Sequence, residues 1–291
     1  MGDTADDYRM LTTDALRLAL EGGGEARVLK LDGAFQGLPD TAHGGGVLAA
    51  FDLAAAVAGP RDVHGHYLRR VPLGIPLDLR VWRDAGACEL ELSERGAVLA
   101  TGRVTGAAGA ATSARRAITA PALDAPALPI SRGCFACGID NALGLRAQLH
   151  VDDRAVGGMW MPCPGFVSDD GTVATVALTT LLDEAAFWLG ALATGESGMT
   201  TQLRVTLHAA AGAAGGITVA GERASARPRA GDARYWDTEV TARDAEGRLV
   251  ASAAITFVAI RGAARRLVTG MLASNAPDLL RRVFPAYVPP A

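Results

Sequence analysis

Residues 172–193, TVATVALTTLLDEAAFWLGALA, form the longest apolar run of the chain, and Asp183 and Glu184 stand at its centre. The run is long enough in residues to raise the possibility of a membrane span. Two adjacent carboxylates in the middle of a span would be costly in lipid, so the pattern favours a helix buried inside a globular protein. The acidic pair then needs a partner or a function, because an unpaired buried carboxylate is unfavourable.

A shorter counterpart of this run lies in the first half of the chain. Residues 43–59, HGGGVLAAFDLAAAVAG, predict a second apolar helix with one acid, Asp52, in its middle and with Gly59-Pro60 as its end. Short alternating segments separated by turn residues follow each helix and predict an antiparallel meander. These segments are 64–71, 76–82, 87–92 and 97–105 in the first half, and 200–208, 216–224, 235–242 and 248–260 in the second.

The length and the repeat together predict two copies of one folding unit. The chain has 291 residues, about twice the size of a typical domain. We predict one unit over residues 1–107, an Ala/Pro-rich linker over 108–132 and a second unit over 133–291. Each would be an α+β unit, an antiparallel sheet wrapped around one central helix, and the two would pair like the halves of a dimer.

Composition excludes several other classes of protein. The formal net charge is −3 and the arginines are scattered, so nucleic acid is not an expected partner. The first ten residues, MGDTADDYRM, lack the features of a secretory signal, which predicts a cytoplasmic protein without a membrane partner. Four cysteines in a chain of this length do not make a disulfide framework.

Short motifs around the two helices resemble those of a known family. His43-Gly44-Gly45 stands nine residues before Asp52 and is followed by an aromatic-Leu-Arg segment at Tyr67. In the second copy, LLDEAA covers residues 181–186, and CFACGIDNALGL covers residues 134–145. This order resembles the hotdog-fold acyl-CoA thioesterases, and the phenylacetic-acid-degradation type most closely. The resemblance covers most of residues 30–107 and 133–260 and implies two tandem hotdog domains.

The resemblance also implies where an active site would lie. In that family, backbone N–H groups just after the histidine hold the thioester oxygen, and the acid comes from the helix of the paired unit. Such a helix terminus suits a developing oxyanion because its N–H groups are unpaired and lie at the positive end of the helix dipole. The implied hydrolysis needs no cofactor, and its substrate would be an acyl-CoA or a related thioester.

The two copies do not keep the same residues, so we expect one site rather than two. His43-Gly44-Gly45 would face Asp183, whereas the aligned positions before Asp183 are occupied by Ala174-Thr175-Val176. In the expected site Gly44 and Gly45 supply the N–H donors, and Asp183 acts as nucleophile or general base. His43 shapes the turn or contacts the thioester.

Several further residues complete the expected site. Glu184 lies about 100° around the helix from Asp183, so only one of the two can face the cleft squarely. Thr200 or Thr201 falls where the family often has a hydroxyl near the attacking water, whereas Gly37 replaces an amide side chain that is common in the family. The residues expected to contact substrate, with the arginines holding the phosphates of CoA, are Asp52, Thr200, Arg69, Arg70 and Arg204.

The cysteines raise the question of zinc. Cys134-x-x-Cys137 has the spacing of one pair of zinc ligands, with His150 and Cys163 as candidates for the remainder. Structural zinc sites usually supply their ligands as two close pairs, and the sequence shows no second pair. We therefore predict small thiols packed at a turn and no metal.

Two other functions remain open at this stage. A hydratase or dehydratase acting on acyl-CoA would need an aspartate and a histidine close together in a loop, and Asp140 has no histidine within the next eight residues. A non-catalytic acyl-binding protein is the second alternative, because one copy has lost its glycine turn. The family usually assembles further, so we expect a dimer of such double chains.

Overall fold

The computed structural model describes residues 12–107 and 117–289, which form an α+β fold around one large antiparallel sheet. The elements of the first half are helix α1 (Thr12–Leu18), strands β1 (Leu20–Gly23) and β2 (Ala26–Leu29), helix α2 (Gly44–Ala55), and strands β3 (Arg61–Tyr67), β4 (Leu77–Asp84), β5 (Ala87–Glu94) and β6 (Ala97–Gly106). Those of the second half are β7 (His150–Val151), β8 (Ala155–Trp160), α3 (Thr175–Thr194), β9 (Gly198–Leu207), β10 (Ile217–Glu222), β11 (Arg227–Arg229), β12 (Asp232–Arg243), β13 (Leu249–Ala259), α4 (Ala264–Met271) and α5 (Pro277–Val283).

The strand order shows the repeat directly. It runs β1-β2-β4-β5-β6-β3-β9-β13-β12-β10-β8-β7, with β11 paired to β12 beside this path. The two halves of the order mirror one another about the antiparallel pair β3 and β9, where Val63 lies opposite Val205. The prediction of two sheet-and-helix units paired like a dimer is therefore confirmed.

The predicted meander is wrong for the first strand after each helix. Strands β4, β5 and β6 pair in sequence, but β3 pairs with β6 and β9 instead of β4. In the second half β9 likewise pairs with β13 and β3. Each of these strands lies at the inner edge of its half-sheet, where the two halves join. It therefore pairs across the junction and with the last strand of its own half, and not with the strand that follows it in sequence.

Both central helices are buried because the sheet surrounds them. In β4 the alternating residues Leu77, Leu79 and Val81 are buried and their neighbours are not, which gives the sheet one apolar face for the helices. Helix α3 is by length and composition able to cross a membrane, but 83% of its apolar window is buried inside the fold, as expected of a core helix.

The two helices touch at a glycine. A Cβ atom added to Gly45 would lie 2.6 Å from the backbone oxygen of Thr179, which is too close for any other residue. The Thr179 hydroxyl donates to the backbone oxygen of Gly45 at 2.8 Å. This close approach brings the start of α2, in the first half, against the middle of α3, in the second.

The segment before β7 packs against both halves. The Phe135 N–H donates to the Gln36 oxygen at 2.6 Å, and the Phe135 ring lies 5.0 Å from Phe35 and 6.2 Å from Phe166. Strand β6 ends at Gly106 and the next strand, β7, begins at His150. Between them, Ala127 pairs with His150 in an isolated antiparallel bridge. The unit boundaries at residues 107 and 133 stay a prediction, and residues 108–116 of the predicted linker lie outside the described residues.

Candidate active site

The start of helix α2 holds a carboxylate from the other half of the chain. His43 is the N-cap residue of α2, and its Nδ1 atom lies 3.2 Å from the Gly45 nitrogen. The Gly45 N–H donates more closely, at 2.9 Å, to Oδ2 of Asp183 on α3. The structure thus brings together the helix terminus and the acid that the sequence paired.

The second oxygen of Asp183 is held by a hydroxyl. Thr200, on β9, donates from Oγ1 to Asp183 Oδ1 at 2.6 Å. On the opposite side Tyr67, on β3, donates to the backbone oxygen of Gly44 at 2.7 Å. The aspartate is only 5% exposed, so the Thr200 hydroxyl and the Gly45 N–H stabilise a carboxylate that would otherwise be costly to bury.

His43 lies between the two acids of α3. Its Nδ1 is 3.3 Å from Asp183 Oδ2, and its Nε2 is 3.6 Å from Glu184 Oε2. Burial alone would lower the pKa of His43, but the hydrogen bond to Glu184 and the charge of Asp183 outweigh it and raise the pKa to about 9. The other oxygen of Glu184 accepts from the Trp188 indole at 2.9 Å.

These side chains line one narrow pocket between the halves, with a volume of about 90 Å³. Its walls are mainly apolar and come from three parts of the chain: Val47 and Val71 from the first half, Phe187 and Met199 from the second, and Leu267 and Met271 from α4. Arg69 and Arg70 also line it, and both are exposed to solvent. An apolar pocket with a few convergent polar groups is typical of a site for a small molecule.

The equivalent position on the other side of the molecule is built differently. Ala174 is the N-cap of α3 and makes no side-chain hydrogen bond there. Asp52, on α2, is paired with Arg61 through two hydrogen bonds of 2.5 and 2.7 Å, and Arg61 also donates to the Thr175 hydroxyl at 3.2 Å. An arginine therefore neutralises the acid at this position, and Asp52 lies outside the pocket that holds Asp183.

Two other expected residues also lie away from the pocket. The Thr201 hydroxyl donates to the Thr256 backbone oxygen at 3.2 Å, because neighbouring residues of a strand face opposite sides. Arg204 is exposed and lines a separate groove with His64 and Glu222. The structure therefore does not bring Thr201 or Arg204 to Asp183.

The cysteine pair lies in the pocket wall, although the other two zinc candidates lie elsewhere. His150 contacts the Ala125 oxygen through Nδ1 at 2.8 Å, and Cys163 lines a groove beside Trp160. Ligand atoms of His43, Cys134 and Glu184, all buried, lie within 4.8 Å of one another. The sequence did not indicate this grouping because its members are far apart along the chain.

Comparison with solved structures gives many matches to this fold. An acyl-CoA thioesterase II TesB2 from Mycobacterium marinum matches with a TM-score of 0.56 and 15% identity, over 85% of this chain and 97% of that one. A hotdog-fold protein of unknown function from Alicyclobacillus acidocaldarius matches with a TM-score of 0.59 and 14% identity, over 86% and 97%. A trans-AT PKS dehydratase domain from Brevibacillus brevis matches with a TM-score of 0.52 and 14% identity, over 81% and 94%.

At these identities the likeness is one of fold, and it confirms the predicted tandem hotdog architecture. No protein-family model matches the sequence, and a search of curated proteins gives no match. The activity has to be argued from the site itself.

Proposed function

We propose that this chain hydrolyses the thioester of an acyl-CoA or a related acyl carrier, at one site between its two halves. The observation that carries the proposal is Asp183, a buried carboxylate held by the Thr200 hydroxyl and by the N–H at the start of α2. This arrangement places a base beside N–H donors in an apolar pocket, which is what thioester hydrolysis needs. The resemblance to thioesterase motifs supports the same reaction.

The donors at the start of α2 fit the oxygen of a thioester. The Gly44 N–H has no acceptor among the described residues, and it points from the same helix terminus as the Gly45 N–H. As the carbonyl becomes tetrahedral, its oxygen gains negative charge and is stabilised by the Gly44 N–H at the positive end of the α2 dipole, since the Gly45 N–H is already bonded to Asp183. Asp183 takes the proton of an attacking water and passes it to the departing thiolate. If Asp183 attacks the carbonyl carbon itself, the thiolate leaves first, and water then hydrolyses the acyl–Asp183 anhydride, which restores the carboxylate and supplies the proton of the thiol.

The arginines of the pocket rim fit the carrier. Arg69 and Arg70 are exposed where the pocket meets solvent, in a position to contact the phosphates of CoA. Arg204, which the sequence grouped with them, is in a different groove. The dimer of chains and the cytoplasmic location stay predictions.

A second candidate function has an observation of its own. His43 and Asp183 lie 3.3 Å apart in the pocket, so an acid–base pair forms from residues 140 positions apart in sequence. Removing water from a 3-hydroxyacyl thioester needs one group to take the proton beside the carbonyl and another to protonate the leaving hydroxyl. Dehydration was expected to need an aspartate close to a histidine, which Asp140 lacks in the sequence and which His43 and Asp183 provide in the fold. Dehydratase domains are also among the matched folds.

One assay separates these functions. Purified chain is supplied with saturated and 3-hydroxyacyl-CoA substrates of several lengths, and both free thiol and enoyl absorbance are followed. Thiol release from the saturated substrates supports hydrolysis, whereas enoyl formation without thiol release supports dehydration. Tight binding with neither product would favour the non-catalytic alternative.

The two neighbouring threonines provide a matched test of the site. Thr200→Val removes the hydrogen bond to Asp183, which is worth about 1.5–3 kcal/mol when one partner is charged. We expect kcat for thiol release to fall by about one to two orders of magnitude. Thr201→Val, one position further along β9, should leave kcat within about threefold, and equal losses in both variants would contradict the role given to Thr200.

A further inference from the structure

We propose that the chain binds one zinc ion in the pocket wall, through His43 Nε2, Cys134 Sγ, a Glu184 carboxylate oxygen and Cys137 Sγ. The first three residues offer ligand atoms within 4.8 Å of one another, and His43 Nε2 and Glu184 Oε2 are 3.6 Å apart. The ligand atoms of a tetrahedral zinc site lie about 3.3–3.8 Å apart, so small shifts would bring these three side chains to one ion, and Cys137, which lies outside that group, would turn toward it.

The fourth ligand follows from the turn that carries both cysteines. Cys134 and Cys137 both line the pocket, and the Ala136 N–H donates to Cys134 Sγ at 3.3 Å. The turn closes with a bond from the Gly138 N–H to the Cys134 oxygen at 2.9 Å. A Cβ at Gly138 would lie 2.3 Å from that oxygen, so glycine is required for the turn that keeps the two thiols together.

Burial and ligand chemistry both favour zinc. His43, Cys134, Cys137 and Glu184 are each between 4 and 6% exposed, so the cluster is a buried part of the pocket wall and not a set of surface acids. Imidazole and thiolate ligands suit zinc, whereas magnesium and calcium prefer oxygen ligands alone. The sequence lacked a second ligand pair beside the cysteines, and the fold supplies it from α2 and α3.

The surroundings of the cluster orient its ligands as metal sites require. Nδ1 of His43 lies 3.3 Å from Asp183, so a proton kept there orients the ring, and zinc would displace the Nε2 proton that faces Glu184. The Trp188 indole donates to Glu184 Oε1, so Oε2 is the carboxylate oxygen that lies near His43 Nε2. Zinc would tie together the start of α2, the cysteine turn and the middle of α3, and this holds whether or not the chain hydrolyses thioesters.

Metal content tests the proposal without an activity assay. Protein purified under reducing conditions and given zinc chloride, then desalted, should contain one zinc per chain by inductively coupled plasma mass spectrometry. Cobalt(II) added to the reduced, metal-free protein should give the near-ultraviolet charge-transfer band of a thiolate ligand. Cys134→Ser should lose at least about nine-tenths of the zinc and the cobalt band, with an unchanged far-ultraviolet circular dichroism spectrum.

Matched variants make the result specific. Cys163→Ser and His64→Ala change residues outside the cluster and should retain one zinc, whereas Cys137→Ser should weaken zinc binding at least tenfold. The proposal is overturned if the reduced wild-type chain binds neither zinc nor cobalt, which includes the case in which the thiols only form a disulfide. Full zinc content in Cys134→Ser would also overturn it.

Discussion

Asp183→Asn is expected to lower kcat for thiol release by at least about 100-fold, the size of effect that removal of a general base typically has. The amide is nearly the same shape as the carboxylate and can still accept from the Gly45 N–H, but it can neither take a proton from water nor attack a carbonyl. The loss should therefore appear in kcat more than in KM. Steady-state kinetics with a thiol-detecting reagent measure it.

Asp52→Asn is the matched control, because Asp52 occupies the corresponding place on the other helix. Its carboxylate is held by Arg61 and does not line the pocket, so kcat should stay within about threefold of the unmodified chain. Comparing the melting temperatures of both variants separates lost chemistry from lost folding. If the Asp52 variant is inactive and the Asp183 variant is not, the working site is the one that contains Asp52, and our assignment is reversed.

The repeat was predictable because its signal is local. Apolar helices with a central acid are visible in the sequence of each half, and their loops are also built alike, with the His43 N–H bonded to the Phe35 oxygen and the Ala174 N–H to the Phe166 oxygen. The position of β3 in the strand order was not predictable, because its pairing with β6 and β9 depends on how the two halves pack together. Helices α4 and α5 follow the last strand and were also missed.

The candidate site likewise contains some residues that the sequence could predict and others that it could not. His43, Gly44 and Asp183 could be found because the motifs that resemble the thioesterase family place each of them on a predictable helix or at its start. Choosing Thr200 over Thr201 needs the exact register of β9 against β13, where a bulge intervenes beside Phe257. The approach of Cys134 to His43 depends on how the segment before β7 folds over both halves, which no local pattern records.

Arg61→Met is expected to destabilise the fold by about 3 kcal/mol, because it leaves the carboxylate of Asp52 buried without its charge partner. Asp52 is 7% exposed, and water cannot replace the two hydrogen bonds that the guanidinium donates. The free energy of unfolding, measured by urea titration, should fall accordingly. The activity of the molecules that remain folded should not change, since Arg61 lies outside the pocket.

The double variant, Asp52→Leu with Arg61→Met, should recover most of that loss. Both charges are then removed together, and an apolar pair of similar volume often replaces a buried ion pair at little cost. A double-mutant cycle with the two single variants gives the coupling energy directly. If the double variant is as unstable as the sum of the single ones, the ion pair does not account for the burial of Asp52. Recovery would instead show that Asp52 and Arg61 serve folding at the position where the facing helix terminus carries Ala174 in place of the His43-Gly44-Gly45 turn. The same helix position would then hold a carboxylate in the pocket in one half and a structural ion pair in the other.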